Sequence, residues 1–449
     1  MSNYIYQKPK KIDWLNQIPA HWKEVRLGSL FTQRKEKVSD IDYSPLSVTK
    51  NGVVPQLDNA AKSNDGSNRK LVLKGDFAIN SRSDRKGSSG VSIYDGSVSL
   101  IYIVLKPIKI EPRYSEYLLK SYYFKEEYYR YGRGIVEDLW TTRYSEMKNM
   151  LIPSAPLKEQ TAIANFLDYK LEKINRFITK KKQLIELLIE QKSAIINKAV
   201  TKGINTNVKL KPSGIEWLGD IPEHWEVRKF SNEIFFQEGP GIMAVDFKDT
   251  GVPLIRISGV KDEYVSLYGC NFLDPAKVEK KWGHFKLEIG DIIISGSAST
   301  ELSSEVNKAT AGAIAYTGLI RLKPRKPTIK KDYIKLFVGS KLFHTQIDLQ
   351  KTGSTMQHFG PTHLKRMFVI LPSVAEQEGI LSFIDNESFK VNKIILTIEK
   401  ELTLVEEYKT ALIAEAVTGK INVRDLEIPQ QETLLAMVAE EAENYNKEN

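Results

Sequence analysis

IDWLNQIPAHW occupies residues 12–22, and IEWLGDIPEHW occupies residues 215–225. Seven of the eleven positions are identical: Ile12/Ile215, Trp14/Trp217, Leu15/Leu218, Ile18/Ile221, Pro19/Pro222, His21/His224 and Trp22/Trp225. Self-similarity at a fixed offset means that one structural unit has been built twice. A second match lies later in each half, where LIPSAPLKEQTAIANFLD (151–168) pairs with ILPSVAEQEGILSFID (370–385). From Gln160/Gln377 onward the offset is 217 without a gap. The half-units run about 12–205 and 215–422, and the polar stretch TKGINTNVKLKPSG (201–214) joins them.

Both halves have one internal order. The short opening motif is followed by about 130 residues with strand-like runs such as DFAIN, VSLIYIVL, DIIISGS and AGAIAYTGLIRL, punctuated by Gly, Ser and Asn. Each half then ends in a long helical segment. In the first segment Leu167, Leu171, Ile174, Ile178, Lys181, Ile185, Leu188, Lys192, Ile195 and Ala199 step by four and three, which is a heptad seam. The counterparts are Ile384, Ser388, Val391, Ile395, Ile398, Leu402, Val405, Lys409, Leu412 and Ala416. Two helices with matching seams bury them most simply against each other. The alternative is that each packs separately on a globular domain. The seam from Leu167 to Ala199 predicts a rod about 48 Å long at 1.5 Å per residue. The middles of the halves have diverged, apart from echoes such as Gly75-Asp76-Phe77 with Gly290-Asp291-Ile292 and Pro45-Leu46 with Pro253-Leu254. One scaffold carrying two unlike modules suits a protein that reads two things at a fixed separation.

Composition narrows the function. With 449 residues, 41% hydrophobic, the chain can bury packed cores, so wholesale disorder is excluded. The formal charge is +9, and the segment Asp425–Asn449 alone contributes −6; without it, 64 basic residues face 49 acidic ones. That balance favours a polyanionic partner. Cys270 is the only cysteine, which excludes an intrachain disulfide and a Cys-cluster zinc site and fits a reducing compartment. The N-terminal MSNYIYQKPKKIDW has no apolar core of a secretory signal, and no run of 18 apolar residues could span a membrane.

Catalytic signatures are missing. The pair Gly419-Lys420 is followed by Ile421, so there is no P-loop. No two prolines are adjacent, which removes the Pro-Pro loop with which adenine amino-methyltransferases grip their base. No G-x-G-x-x-G follows a strand, and there is no H-E-x-x-H. Gly132-Arg133-Gly134 is too little for a phosphate loop, and Glu190-Gln191-Lys192 reads as a solvated helix face. His21 and His224 sit in the repeated motif and read as corner residues, with Trp22 and Trp225 buried; no carboxylate is expected to recur beside them. Polar, basic loops on the modules are the better functional candidates. Lys50 and Asn51 lie in one, and Arg82, Arg85, Lys86 and Ser88 in another. Arg256 and Lys261 occupy the corresponding part of the second half, and Gln357 and His358 follow Gly353-Ser354-Thr355. Such side chains meet phosphates or base edges, although any one of them read singly is equally a solvated surface group. The acidic C-terminal segment is either a docking tail or a solvated end.

The repeated I-P-x-H-W opening, the P-S…E-Q-x-x-I-x-x-F-[LI]-D start of each helix and the A-[VL]-T endings at Ala199–Gly203 and Ala416–Gly419 resemble the DNA-specificity subunits of type I restriction-modification enzymes. The resemblance spans about residues 12–422. It implies an α+β chain with two α/β target-recognition domains, two long helices forming an antiparallel coiled coil, and a pseudo-two-fold internal repeat. The expected domains are 1–153 and 204–372 for target recognition, 154–203 and 373–422 for the conserved helical regions, and an acidic tail at 423–449. The coiled-coil core would comprise Leu171, Ile178, Ile185, Leu188, Ile195, Ile395, Leu402, Val405 and Leu412. By the same resemblance the chain is a non-catalytic, cytoplasmic subunit that reads a bipartite site in double-stranded DNA. Two modification subunits and the restriction/translocase subunits would be its partners, with S-adenosylmethionine, ATP and Mg on those partners and no cofactor on this chain. The second helix begins two residues sooner after Pro372 than the first does after Pro153, so the two junctions are not strict copies. Two other readings stay open: a self-contained DNA methyltransferase or nuclease with unfamiliar motifs, and a coiled-coil scaffold that binds only proteins.

Overall fold

The computed structural model describes residues 4–57, 66–82, 87–134, 140–296, 303–350, 359–424 and 426. The chain divides into two compact units: Met1–Lys181 with Glu399–Asn449, and Lys182–Ile398. Each unit thus combines one module with a helical segment from both repeats.

In the first unit a four-stranded antiparallel sheet runs in the order Ser89–Val91, Phe77–Asn80, Tyr102–Pro107, Phe31–Gln33. The central strands FAIN and YIVLKP are apolar along their length because both faces of the sheet are covered. Phe77, Ile79, Ile103 and Leu105 point into a core with the helices Pro112–Lys120 and Tyr122–Arg130. Ala78, Tyr102 and Val104 point the other way, onto Leu46, Val48, Val72 and Val98. Glu111 caps the first of these helices by accepting from the Tyr114 amide, and Pro112 supplies the preset first turn.

The second unit repeats this plan in a different sequence. Its sheet runs Ser303–Glu305, Ile292–Ser295, Leu319–Pro324, Ile234–Glu238. Ile292, Ile294, Ile320 and Leu322 pack on Tyr333, Ile334 and Phe337 of the helix Lys331–Val338, while Ile293 and Leu319 face Ile255, Val306 and Ala315. The echo between the halves is a shared turn. Asp76 Oδ2 accepts from the Leu73 amide at 2.9 Å and from Arg34 Nε at 2.6 Å. Asp291 Oδ2 accepts from the Glu288 amide at 2.6 Å and lies 2.6 Å from Arg321 Nε.

The two long helices are Leu157–Lys202 and Val374–Val417. The first contains neither Gly nor Pro, which lets it continue for 46 residues. They pack antiparallel as a coiled coil. Within the first unit, Lys409 Nζ donates to Asn175 Oδ1 at 2.8 Å, and Lys181 Nζ lies 2.7 Å from Glu401 Oε2. Within the second, Lys192 Nζ donates to Asn392 Oδ1 at 3.1 Å. Leu171, Ile178 and Leu412 are buried, Leu402 and Val405 half-buried, in the first unit. Ile185, Leu188, Ile195 and Ile395 are half-buried in the second, and the residues flanking the seam are mostly exposed. Each helix stops at a glycine in the left-handed region, Gly203 (φ 75°) and Gly419 (φ 77°). These glycines are also close-approach points. A Cβ on Gly419 would meet Pro19 at 2.5 Å and Trp22 at 3.0 Å, and one on Gly203 would meet Trp225 at 3.1 Å.

Candidate nucleic-acid interface

The repeated His-Trp pair builds a corner, and one expectation about it is corrected: a carboxylate does recur beside each histidine. Trp22 and Trp225 are buried. In the first unit Trp22 Nε1 donates to Glu159 Oε1 at 3.1 Å, His21 Nε2 lies 2.8 Å from Glu159 Oε2, and the Tyr4 hydroxyl also donates to Glu159. In the second, Trp225 Nε1 and His224 Nε2 reach Glu376 Oε1 at 3.0 and 2.6 Å. The partners lie 138 and 152 residues apart, so local sequence does not reveal them. The adjacent glutamines finish the corner. Gln160 accepts from the Glu111 amide and donates to Ala155 O. Gln377 accepts from the Lys330 amide and donates to Thr328 O and Pro372 O.

The junctions differ for a physical reason. At the start of the second helix Ser373 and Glu376 form a capping box: Glu376 Oε2 accepts from the Ser373 hydroxyl at 2.8 Å and amide at 3.1 Å, and the Glu376 amide donates to Ser373 Oγ at 3.3 Å. Pro156 stands in the corresponding place of the first helix and offers neither group; Tyr4 supplies the missing hydroxyl instead. Burial works against the charge on Glu376, but the hydrogen bonds from Trp225, His224 and Ser373 outweigh it and hold the carboxyl down at about 2. With both oxygens engaged by four donors, Glu376 is a structural acceptor and not a poised base.

Of the candidate DNA contacts, Lys50 and Asn51 form the exposed tip of the hairpin Leu46–Thr49/Gly52–Pro55. Arg82 is exposed and bridges through its backbone to Thr141. Ser88 is 6% exposed at the foot of the same loop, and its carbonyl accepts from the Asn80 amide. Lys261 is exposed on the second module. Arg256 is half-buried, with its guanidinium 3.9 Å above the Tyr316 ring. Arg85, Lys86, Gln357 and His358 lie outside the described residues, as does nearly all of the acidic C-terminal segment. Among the described residues, no group of three His, Cys, Asp or Glu side chains could hold a metal ion, and no helix is long and apolar enough to cross a membrane.

The chain carries one sheet plan twice, each copy joined to a carboxylate-centred corner. It is similar along nearly its whole length to the specificity subunits of type I restriction enzymes. A Methanocaldococcus jannaschii protein named as the specificity subunit of the type I restriction enzyme MjaX is 26% identical over 438 residues, which are 91% of this chain and 96% of that protein. A chain from a structure of a type I R-M system, solved for its complex assembly and conformational transition, matches with a TM-score of 0.66 at 14% identity, covering 90% of this chain and 99% of its own. The HsdS subunit from Thermoanaerobacter tengcongensis matches with a TM-score of 0.51 at 15% identity, covering 90% and 98%. The fold is therefore that of these subunits. No family model matches the chain.

Proposed function

We propose that this chain is the sequence-specific DNA-recognition subunit of a type I restriction-modification complex. It reads an asymmetric bipartite target through its two modules and has no catalytic centre of its own. The observation that carries this reading is the near full-length similarity to a specificity subunit, joined to one sheet plan built twice with different surfaces. Lys50, Asn51 and Arg82 are the DNA contacts of the first module, together with Arg85 and Lys86; those of the second include Arg256 and Lys261, with Gln357 and His358. Ser88, at the foot of the Arg82 loop, is a further proposed contact of the first module. The complex works in the cytoplasm, with two modification subunits and with restriction/translocase subunits. Those partners carry the S-adenosylmethionine, ATP and Mg that the chemistry needs, and the methylated base is an adenine flipped into the modification subunit.

The helix pair supports a protein partner. Phe177, Leu404 and Tyr408 in the first unit are 40%, 64% and 55% exposed, and Leu184, Leu187 and Ile394 in the second are 41%, 61% and 47% exposed. Phe177, Leu184, Ile394 and Tyr408 each directly precede a seam residue, so they flank the buried stripe. Apolar side chains in such a row mark an interaction surface.

Methylated adenines mapped in a host expressing this chain with its modification subunit test the proposal. A split motif with a fixed spacer is expected, and the purified chain alone should transfer no label from S-adenosylmethionine to DNA. Methyl transfer by the chain alone, or a host with no split motif, would overturn the reading.

A further inference from the structure

The geometry points to Arg256 as a guanine-reading residue of the second module, fixing one G·C pair in that module's half-site; this rests on the DNA-recognition role proposed above. Arg256 follows the last residue of the strand Val252–Ile255, and Tyr316 follows the last residue of the neighbouring parallel strand Ile314–Ala315. The register pairs Ile255 with Ala315, and the Tyr316 amide donates to Ile255 O at 3.0 Å. The two side chains therefore leave the sheet side by side. Tyr316 and Phe247 pack on the core cluster of Ile242, Leu254, Leu273, Val278 and Ile314, which makes the ring a fixed shelf. The Arg256 guanidinium lies 3.9 Å from the Tyr316 centroid and 5.9 Å from that of Phe247. Its one hydrogen bond among the described residues is Nη1 to Asn271 Oδ1, long at 3.4 Å.

Two other arginines of this unit face carboxylates. Arg321 sits between Asp291 at 2.6 Å and Glu288 at 2.9 Å, and Arg228 donates to Glu226 at 2.6 Å. Among the described residues Arg256 makes no ion pair; its plane is held while most of its donor edge stays unspent. A guanidinium with that edge presented in a fixed plane matches the O6 and N7 acceptors of guanine in the major groove. The stacking has already removed much of the rotamer freedom that a free arginine would lose on binding. A phosphate contact needs no such orientation. The first module has no equivalent: its parallel bridge Pro45–Ser97 corresponds to Leu254–Ile314, which puts Ser47 where Arg256 stands. The G·C requirement belongs to one half-site only.

The test compares the wild-type chain with R256K and R256A, each with its modification subunit, by methylation mapping and by binding to duplexes with each half-site randomised. Lysine keeps the charge and removes the fork. R256K should lose about 5- to 150-fold discrimination at one G·C position of one half-site, with the other half-site and the salt dependence of affinity unchanged. Three results would overturn the assignment: an unaltered motif in both variants; R256K behaving as wild type while R256A weakens all sequences alike with a shallower salt dependence, as a phosphate contact would; or loss of both half-sites with a lowered melting temperature. A wild-type complex without a split motif would instead remove the function on which the assignment rests.

Discussion

Glu376 is the residue whose protonation the second corner cannot tolerate. Its carboxylate gathers the Trp225 indole, His224 and both donors of Ser373, and its pKa is held at about 2. A folded-state value below the ordinary value of 4.5 means that the ionised form stabilises the fold. That contribution is complete above about pH 4.5 and is lost as pH falls towards about 2. Denaturant midpoints measured across this range should fall with acid for the wild type, and E376Q should show a weaker pH dependence at a lower starting stability. Identical profiles for both proteins would show that the corner stands without this charge.

At the level of elements, the helix pair contains a polar pair used twice. Lys192 with Asn392 and Lys409 with Asn175 are equivalent across the repeat, because both members shift by the same 217 residues. Polar groups at core positions of a coiled coil cost stability and fix register. Replacing Lys192 and Lys409 together by leucine should therefore leave the melting temperature unchanged or higher, while light scattering detects new oligomers or mis-registered forms; a clear fall in melting temperature would show that the lysines hold the pair together. The helices were legible in the sequence because a heptad is a local period, and the seam lysines stood out in it as breaks. The corner was legible only by half. The opening motif and the Glu-Gln pair were visible as repeats, but their meeting across 138 and 152 residues is a product of folding. The common sheet was hidden for another reason. A strand covered on both faces asks only for apolar residues, so FAIN and IIIS can share a place without sharing a sequence. Arg256 was visible as a basic residue and Tyr316 as one tyrosine among 20; their separation by 60 positions concealed the shelf.

At the level of the whole molecule, each unit is completed by helix from the other repeat, and a half-chain should seek a substitute. A fragment of residues 1–203 retains the seam residues Ile185, Leu188 and Ile195 but lacks residues 374–398, which accompany them in the second unit. Because the repeats share one seam, a second copy of the fragment can supply the antiparallel partner. Light scattering should find the fragment as a dimer, and a stable monomer would show that the module covers its own helix. The same exchange orders events during synthesis. The first module's core includes Leu412, Ala416 and Val417, and the hydroxyl of its buried Tyr114 donates to Val417 O. The first unit breaks off at Lys181 and resumes only at Glu399. At about 5–20 residues per second, the ribosome takes roughly 10–40 s to cross that gap. For this interval the first-made module has no C-terminal helix, and its apolar edge is open to chaperones or to another nascent chain. A product that ends before Leu412 would carry an incomplete first core, so quality control has a simple sign of an unfinished reader.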